Sequence, residues 1–374
     1  MKKIIFISGV TFHIPKIIKS LKKISNFKIK ILSTSHKTNF FLDRNDEFNF
    51  IPMVFKIFSR IFNYNNSSIE RIVDNITFRF LSKFTKIREN DIIYGCSSFS
   101  REIFLKAKNN FKILDVANIH VDELIILLKS EHEKFNLKFK YSNYMRCLEQ
   151  EEYRLADKII VPSNRSLYSF TKNGVDKKKL IKGFFIPLMK RNIVKKKFKN
   201  NNNIKLGYIG GNILIKGLYY LLKSLNSTSN KSLTLNMCIP QNYIENNFFL
   251  KSEFNSKIMS SVGFTKNINT FYSKIDYLVV PSISDGFAQV VQEALSMSVP
   301  VICSNAVGAS EYLDKNIGHI FKSKSTEELT KILDNLNKQD LNDKISNIYK
   351  HYITFENKVK SDQKKIINLL ETIN

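Results

Sequence analysis

The sequence predicts an α/β fold made of two similarly wound halves. Short apolar runs that stop at Gly, Pro or Ser recur along the chain, and each is followed by apolar residues at helical spacing. An Asp, an apolar run and a Pro-Ser pair occur twice, from Asp157 to Pro162-Ser163 and from Asp276 to Pro281-Ser282. A length of 374 residues with 43% hydrophobic composition is enough for two domains, each with its own core, and too apolar for a disordered chain.

Residues 3–8 read as a strand running into Gly9, and residues 14–24 as an amphipathic helix, together an opening βα unit. Open α/β sheets bind ligands beyond the carboxyl ends of their strands, so Gly9 can bring backbone N–H groups to a ligand; it also reads as a glycine that only turns the chain. Residues 27–33 form a second strand. Residues 50–86 mix apolar and basic side chains at helical spacing around a polar break at 63–68. Such a segment lies on an anionic membrane, lines an acceptor groove, or packs in a core with solvated lysines. Residues 91–94 and 112–114 are further strands with a helix near 101–108 between them. The second leads to His120, and a histidine just past a strand end can orient or deprotonate an acceptor, or contact a donor. His13 is second in rank; His36, His132, His319 and His351 read as surface or packing residues.

Residues 158–161 are a strand, and Asp157 before it reads as structural. Residues 187–203 hold six basic side chains, no acid and a run of four asparagines, the composition of a linker. The chain therefore divides into 1–186, a basic linker at 187–203, and 204–352, followed by a helical tail near 353–374. A strand at 204–209 ends in Gly210-Gly211 and passes through Lys216-Gly217 into a helix at 218–225. Backbone donors with a point charge at a helix start suit a diphosphate, although the spacing is not that of a Walker A loop. Residues 234–239 and the segment around Gly263-Phe264 look like strand ends.

Residues 275–313 carry the densest signal. A strand at 277–280 opens into Ser284-Asp285-Gly286-Phe287, then a helix at 288–297 and a strand at 299–303. Asp285 and Glu293 stand eight positions apart, up to about 12 Å along a helix, roughly the length from sugar to ribose in a sugar nucleotide. Gly286 allows close backbone approach, and the N–H groups of Phe287, Ala288 and Gln289 are expected as unpaired donors for an anion.

This stretch resembles the donor-binding signature of retaining glycosyltransferases of family 4, which have the GT-B architecture. The resemblance rests on Asp285, Gly286, Phe287, Glu293, Ala294, Pro300, Val301, Ile302 and Gly308; it is strong over residues 204–313, fair over 113–176 and weak before that. Asp285 stands where the family usually has Glu, and Gly211 and Asn212 occupy the region of a family Arg shortly before Lys216. The resemblance implies two Rossmann-like domains facing across a cleft, with the C-terminal helix crossing back to the first. It also implies a nucleotide-sugar donor, with Glu293 on the ribose, Lys216 on the diphosphate, and Asp285 with nearby amides on the sugar. His120 matches the family's N-domain histidine and joins Asp285 and Glu293 as a catalytic candidate. Gly9, Gly210, Gly211, Gly286, Phe287, Ala288 and Gln289 are the further donor-binding candidates. Glu311 is expected to cap the next helix. Retention at the anomeric carbon, no metal, no cofactor and a glycan or lipid-linked acceptor complete the expectation, as in lipopolysaccharide, capsule or glycolipid synthesis.

Four cysteines without ligand-like spacing read as reduced thiols of a cytoplasmic protein. The start, MKKIIFISGV, lacks a small-residue cleavage site and reads as a strand rather than a signal peptide, and the apolar runs are too short to span a bilayer. The net charge of +26 is uneven: +16 over residues 1–186 and +4 from residue 204. A basic first half suits an anionic membrane face, and an AT-rich gene would also supply lysines. Two rival readings remain: a nucleotide-sugar epimerase of the same architecture, and a basic nucleic-acid-binding protein, for which no zinc-finger, RNP-type or helix-turn-helix signature is present.

Overall fold

The computed structural model describes residues 3–8, 17–18, 27–33, 47–50, 76, 78, 80, 84–183, 203–265 and 267–373. Seven parallel strands make the first sheet: β1 (Lys3–Ser8), β2 (Lys28–Ser33), β3 (Glu47–Phe50), β4 (Ile92–Cys96), β5 (Lys112–Asp115), β6 (Lys158–Val161) and β7 (Leu180–Lys182), in the order β3-β2-β1-β4-β5-β6-β7. The second sheet has six: β8 (Ile204–Ile209), β9 (Leu233–Cys238), β10 (Met259–Ser261), β11 (Tyr277–Val280), β12 (Val301–Ser304) and β13 (Gly318–Phe321), in the order β10-β9-β8-β11-β12-β13. Both sheets are doubly wound. Each order reverses once, between β1 and β4 and between β8 and β11, and a doubly wound sheet opens its ligand crevice beyond the strand ends at that point.

Strands covered on both faces carry continuous apolar runs, which is why they were readable. In β1, Ile4, Ile5, Phe6 and Ile7 are fully buried. The two Asp-to-Pro-Ser repeats do the same work in each half. Asp157 Oδ2 accepts from the Lys112 amide at 2.7 Å, and Asp276 Oδ2 accepts from the Lys205 amide at 2.9 Å, so each acid ties its own strand to the start of a neighbour. Asp276→Ala is expected to cost about 1–2 kcal/mol in a melting experiment. Asp157→Ala should cost less, because its side chain is 43% exposed against 17% for Asp276.

The helix Lys338–Thr372 belongs to both halves. Ile348, Tyr352, Phe355 and Val359 pack with Val291 and Leu295 of the second half, whereas Ile366, Ile367 and Leu370 pack with Ile4, Phe6 and Ile113 of the first. It begins earlier than the tail expected at 353–374. The expected linker lies outside the described residues apart from Asn203, as do Gly9, His13, His36 and most of residues 14–24 and 50–86; Ile17 and Ile18 are helical and fully buried.

Candidate functional site

Two loops at the switch point of the second sheet build the site. The first follows β8. Asn212 Oδ1 accepts from the Ile215 amide and Asn212 O from the Lys216 amide at 2.8 Å, which folds residues 212–216 into a tight turn. Gly217 is left-handed at φ 65°, and a Cβ there would strike the carbonyl oxygen of Pro281, so glycine alone fits between this turn and the loop after β11. The helix Leu218–Ser227 starts beyond it. The Ile283 amide donates to Ile215 O at 2.8 Å, pinning the second loop to the first.

That pinning brings Lys216 and Asp285 together as an ion pair between Nζ and Oδ2. Asp285 Oδ1 meanwhile accepts from the Ala288 amide at 2.9 Å. This corrects one expectation: the Ala288 N–H is used by Asp285 and is not an unpaired donor for an anion. Ala288 is itself left-handed at φ 62°, so the helix begins only at Gln289 and runs Gln289–Ser296. Only four helical steps, about 6 Å, then separate Gln289 from Glu293, and the 12 Å expected from a continuous helix does not apply. Phe287 is 3% exposed and packs against Tyr312 and Phe355, so its side chain is core.

Glu293 Oε2 accepts from the Tyr272 hydroxyl at 2.9 Å. Burial, and then the charge of Glu293, push the Tyr272 phenol well above its ordinary value, which keeps it a donor. Nothing in the sequence around Tyr272 announces this partnership, which joins residues 21 positions apart. Near Lys216, the Tyr208 and Ser282 hydroxyls are buried without a hydrogen-bond partner among the described residues. A Cβ on Gly210 would lie 2.8 Å from the Tyr208 hydroxyl, whereas the space at Gly211 is open.

The first half closes over this site. A Cβ on Gly286 would collide with the Ala117 carbonyl, so this glycine admits the backbone that follows β5. Ser284 Oγ donates to Asn118 Oδ1 at 3.0 Å, and Arg165 Nη2 donates to Ile283 O at 3.2 Å. Glu311 was expected to cap the next helix. Instead its Oε1 accepts from the Asn164 amide at 2.6 Å, capping the helix Asn164–Lys172 of the other half, and its Oε2 lies 3.4 Å from Lys182 Nζ.

His120 stands two residues after Asn118, and its own amide donates to Ser169 Oγ at 2.9 Å within the first half. It is the N-cap of the helix Val121–Lys134, with Nδ1 accepting from the Asp122 amide at 3.3 Å, and it packs between Tyr153 and Phe170. Burial lowers its pKa, with Asp122 and Glu123 pulling the other way. It lines a cavity of about 450 Å³ with Asp122, Gln150, Tyr153 and Asn173, all residues of the first half. His132, His319 and His351 bond to Leu128 O, Asp340 and Asp314. Among the described residues no group of three or more His, Cys, Asp or Glu side chains is arranged to hold a metal ion, and no helix is long and apolar enough to cross a membrane.

Residues 189–352 match the family model described as glycosyl transferases group 1. Protein CapJ of Staphylococcus aureus is 27% identical over 155 residues, 37% of each chain. The putative teichuronic acid biosynthesis glycosyltransferase TuaC of Bacillus subtilis is 26% identical over 190 residues, 50% of this chain and 43% of that one. The chain thus matches less than half the length of either relative. HepE of Anabaena, solved in complex with UDP-glucose, superposes with a TM-score of 0.67 over 99% of both chains at 14% identity. At that identity the shared property is the fold, and the fold is GT-B. The family match and the architecture together support a glycosyltransferase.

Proposed function

We propose that the protein moves a sugar from a nucleotide-sugar donor to a glycan or lipid-linked acceptor, with retention at the anomeric carbon and no required metal, as a family 4 enzyme of cell-surface polysaccharide or glycolipid synthesis. The observation that carries this reading is the pairing of Lys216 with Asp285 across the loops after β8 and β11, where a doubly wound sheet binds its ligand, with Glu293 on the helix that the second loop enters. A nucleotide sugar leaves a diphosphate behind, so the work is to align two substrates and stabilise charge on the departing phosphate. Lys216 is the cation for that charge. In the ligand-free state its partner is Asp285, and a diphosphate would compete for the ammonium, freeing the Asp285 carboxylate for sugar hydroxyls. The buried hydroxyls of Tyr208 and Ser282 add donors without present partners. Glu293 takes the ribose, Gly210, Gly211 and Gln289 offer backbone, and His120 serves the acceptor side.

The UDP-glucose in HepE supports a uridine nucleotide as the donor class, and the name of TuaC supports a polysaccharide acceptor. A place at the inner face of the cell membrane is supported by the basic first half and by Ile76, Phe80 and Phe84, which are 53%, 61% and 71% exposed.

Lys216→Ala tests the diphosphate assignment. Loss of one charge-assisted contact, about 1.5–3 kcal/mol, should weaken UDP binding by roughly ten- to a hundredfold in calorimetry. An unchanged isotherm would remove Lys216 from the site. Incubation with donor alone separates an epimerase, which would change the sugar without an acceptor.

A further inference from the structure

Among the described residues, two charged clusters of different kinds join the halves. One contains Glu311, Lys182 and Asp362, with Lys182 Nζ at 3.4 Å from each acid. It lies where the chain itself crosses between halves, because Lys182 closes β7 just before residues 184–202 and Asp362 sits on the helix shared by both cores. That junction is tethered by covalent chain. The other is not.

At the second junction Glu131, near the end of the helix Val121–Lys134, is 2% exposed and carries its carboxylate into the second half. Both its oxygens lie 3.0 Å from the Tyr220 hydroxyl, and Lys324 Nζ is at 2.7 Å. Lys134 donates to the same hydroxyl at 2.9 Å and stands 4.1 Å from the Tyr220 ring centroid. Next to it Phe135 stacks on Phe249 with centroids 4.4 Å apart. Lys324 reaches this position from a left-handed backbone at φ 67°, a conformation that costs a lysine free energy and is kept only where contacts hold it. Any separation of the halves at this end must break every one of these contacts and return a buried carboxylate to water.

We propose that Glu131, Tyr220, Lys134 and Lys324 form a latch that holds the two halves closed and sets the Lys216 loop against the first half. Buried ion pairs gain little net free energy because desolvation offsets attraction, so such a cluster specifies one arrangement while remaining reversible. Burial lowers the pKa of Lys134, with the charge of Glu131 pulling the other way. Its geometry links the two sides of the crevice. His120 caps the helix whose far end carries Glu131, and Tyr220 lies four residues after Lys216 on the helix that the Lys216 turn starts. The consequence for Lys216 rests on the nucleotide-sugar reading above; the closure itself does not.

The experiment compares wild type, Tyr220→Phe, Glu131→Gln and, as a control on the same helix, Lys129→Ala, which removes an exposed pairing with Glu133. Small-angle scattering should give a larger radius of gyration for the first two variants than for wild type and the control, with melting temperatures within a few degrees of one another. UDP titration should show about tenfold weaker binding, the factor expected when the closed state falls to a tenth of the population. Tyr220→Phe removes a single oxygen, so it decides the matter even where Glu131→Gln folds poorly. An unchanged radius of gyration in Tyr220→Phe overturns the latch. Wild type that fails to bind UDP while both variants expand overturns the uridine donor and keeps the latch.

Discussion

Glu293→Ala is expected to lower kcat/KM for transfer from a UDP-sugar by about 10³-fold, the loss of two charge-assisted hydrogen bonds to ribose hydroxyls at about 2 kcal/mol each. The side chain has a second partner, and it makes the alanine variant ambiguous on its own. The Tyr272 hydroxyl donates to Glu293 at 2.9 Å, and without the carboxylate this fully buried phenol keeps only the Val290 carbonyl at 3.4 Å. An unsatisfied buried hydroxyl costs about 1–3 kcal/mol, so Glu293→Ala should also melt earlier than wild type. Glu293→Gln separates the two effects. Its carbonyl oxygen still accepts from Tyr272 and preserves the fold, while its amide cannot accept from a ribose hydroxyl. A glutamine variant with wild-type stability and strongly reduced transfer supports the ribose role; wild-type transfer in either variant removes Glu293 from the donor site.

How much of this was legible follows from what kind of contact each residue makes. Strands buried on both faces were plain, because β1, β6 and β11 carry uninterrupted apolar runs and β8 is broken only by Lys205. The edge strands β3, β7 and β13 were not. β3 alternates polar and apolar residues as Glu47–Phe50, β7 has three residues with one lysine, and Ile320 in β13 is 46% exposed, so none of them carries a continuous apolar run. Lys216 and Asp285 were singled out from spacing within their own loops, but their pairing across 69 positions required the turn at Asn212 and the fit of Gly217 under Pro281. Local periodicity also overran the helix start. Ala288 has the composition of a first helical residue, yet the Asp285 carboxylate takes its amide and the backbone turns left-handed. Glu311 shows the same limit, since an acid near a helix start says nothing about which helix it will cap once two halves fold together.

The opening βα turn of the first half lies outside the described residues, but the other lip of that crevice, the loop after β4, is held by one buried acid. Glu152, 0% exposed, accepts from the Ser98 amide at 2.7 Å through Oε2 and from the Ser100 and Arg101 amides at 2.6 and 3.1 Å through Oε1. Ser98 is left-handed at φ 77°, and its hydroxyl donates to Glu149 Oε1 at 2.7 Å, so two acids of the helix Asn143–Leu155 hold a strained loop. Burial, and then the nearby charge of Glu149, push the Glu152 carboxyl from 4.5 up to about 8, against the pull of the three amides. A folded-state pKa above the unfolded one means that folding takes up a proton. Its contribution is complete below pH 4.5 and is lost as pH rises through about 8, on the order of 5 kcal/mol over the whole window. His120 and His319, both lowered by burial from 6.5, act in the opposite direction, losing stability as pH falls below 6.5. The clean interval is therefore pH 6.5 to 8, where Glu152 should remove about 2 kcal/mol and lower the melting temperature by roughly 4–8 °C. Glu152→Gln should melt lower throughout, because its amide turns a donor toward backbone donors, and should lose the slope across this interval. A wild-type melting temperature that holds level or climbs from pH 6.5 to 8 would mean that the three amides keep Glu152 ionised, and that the loop is gripped by a carboxylate at every physiological pH.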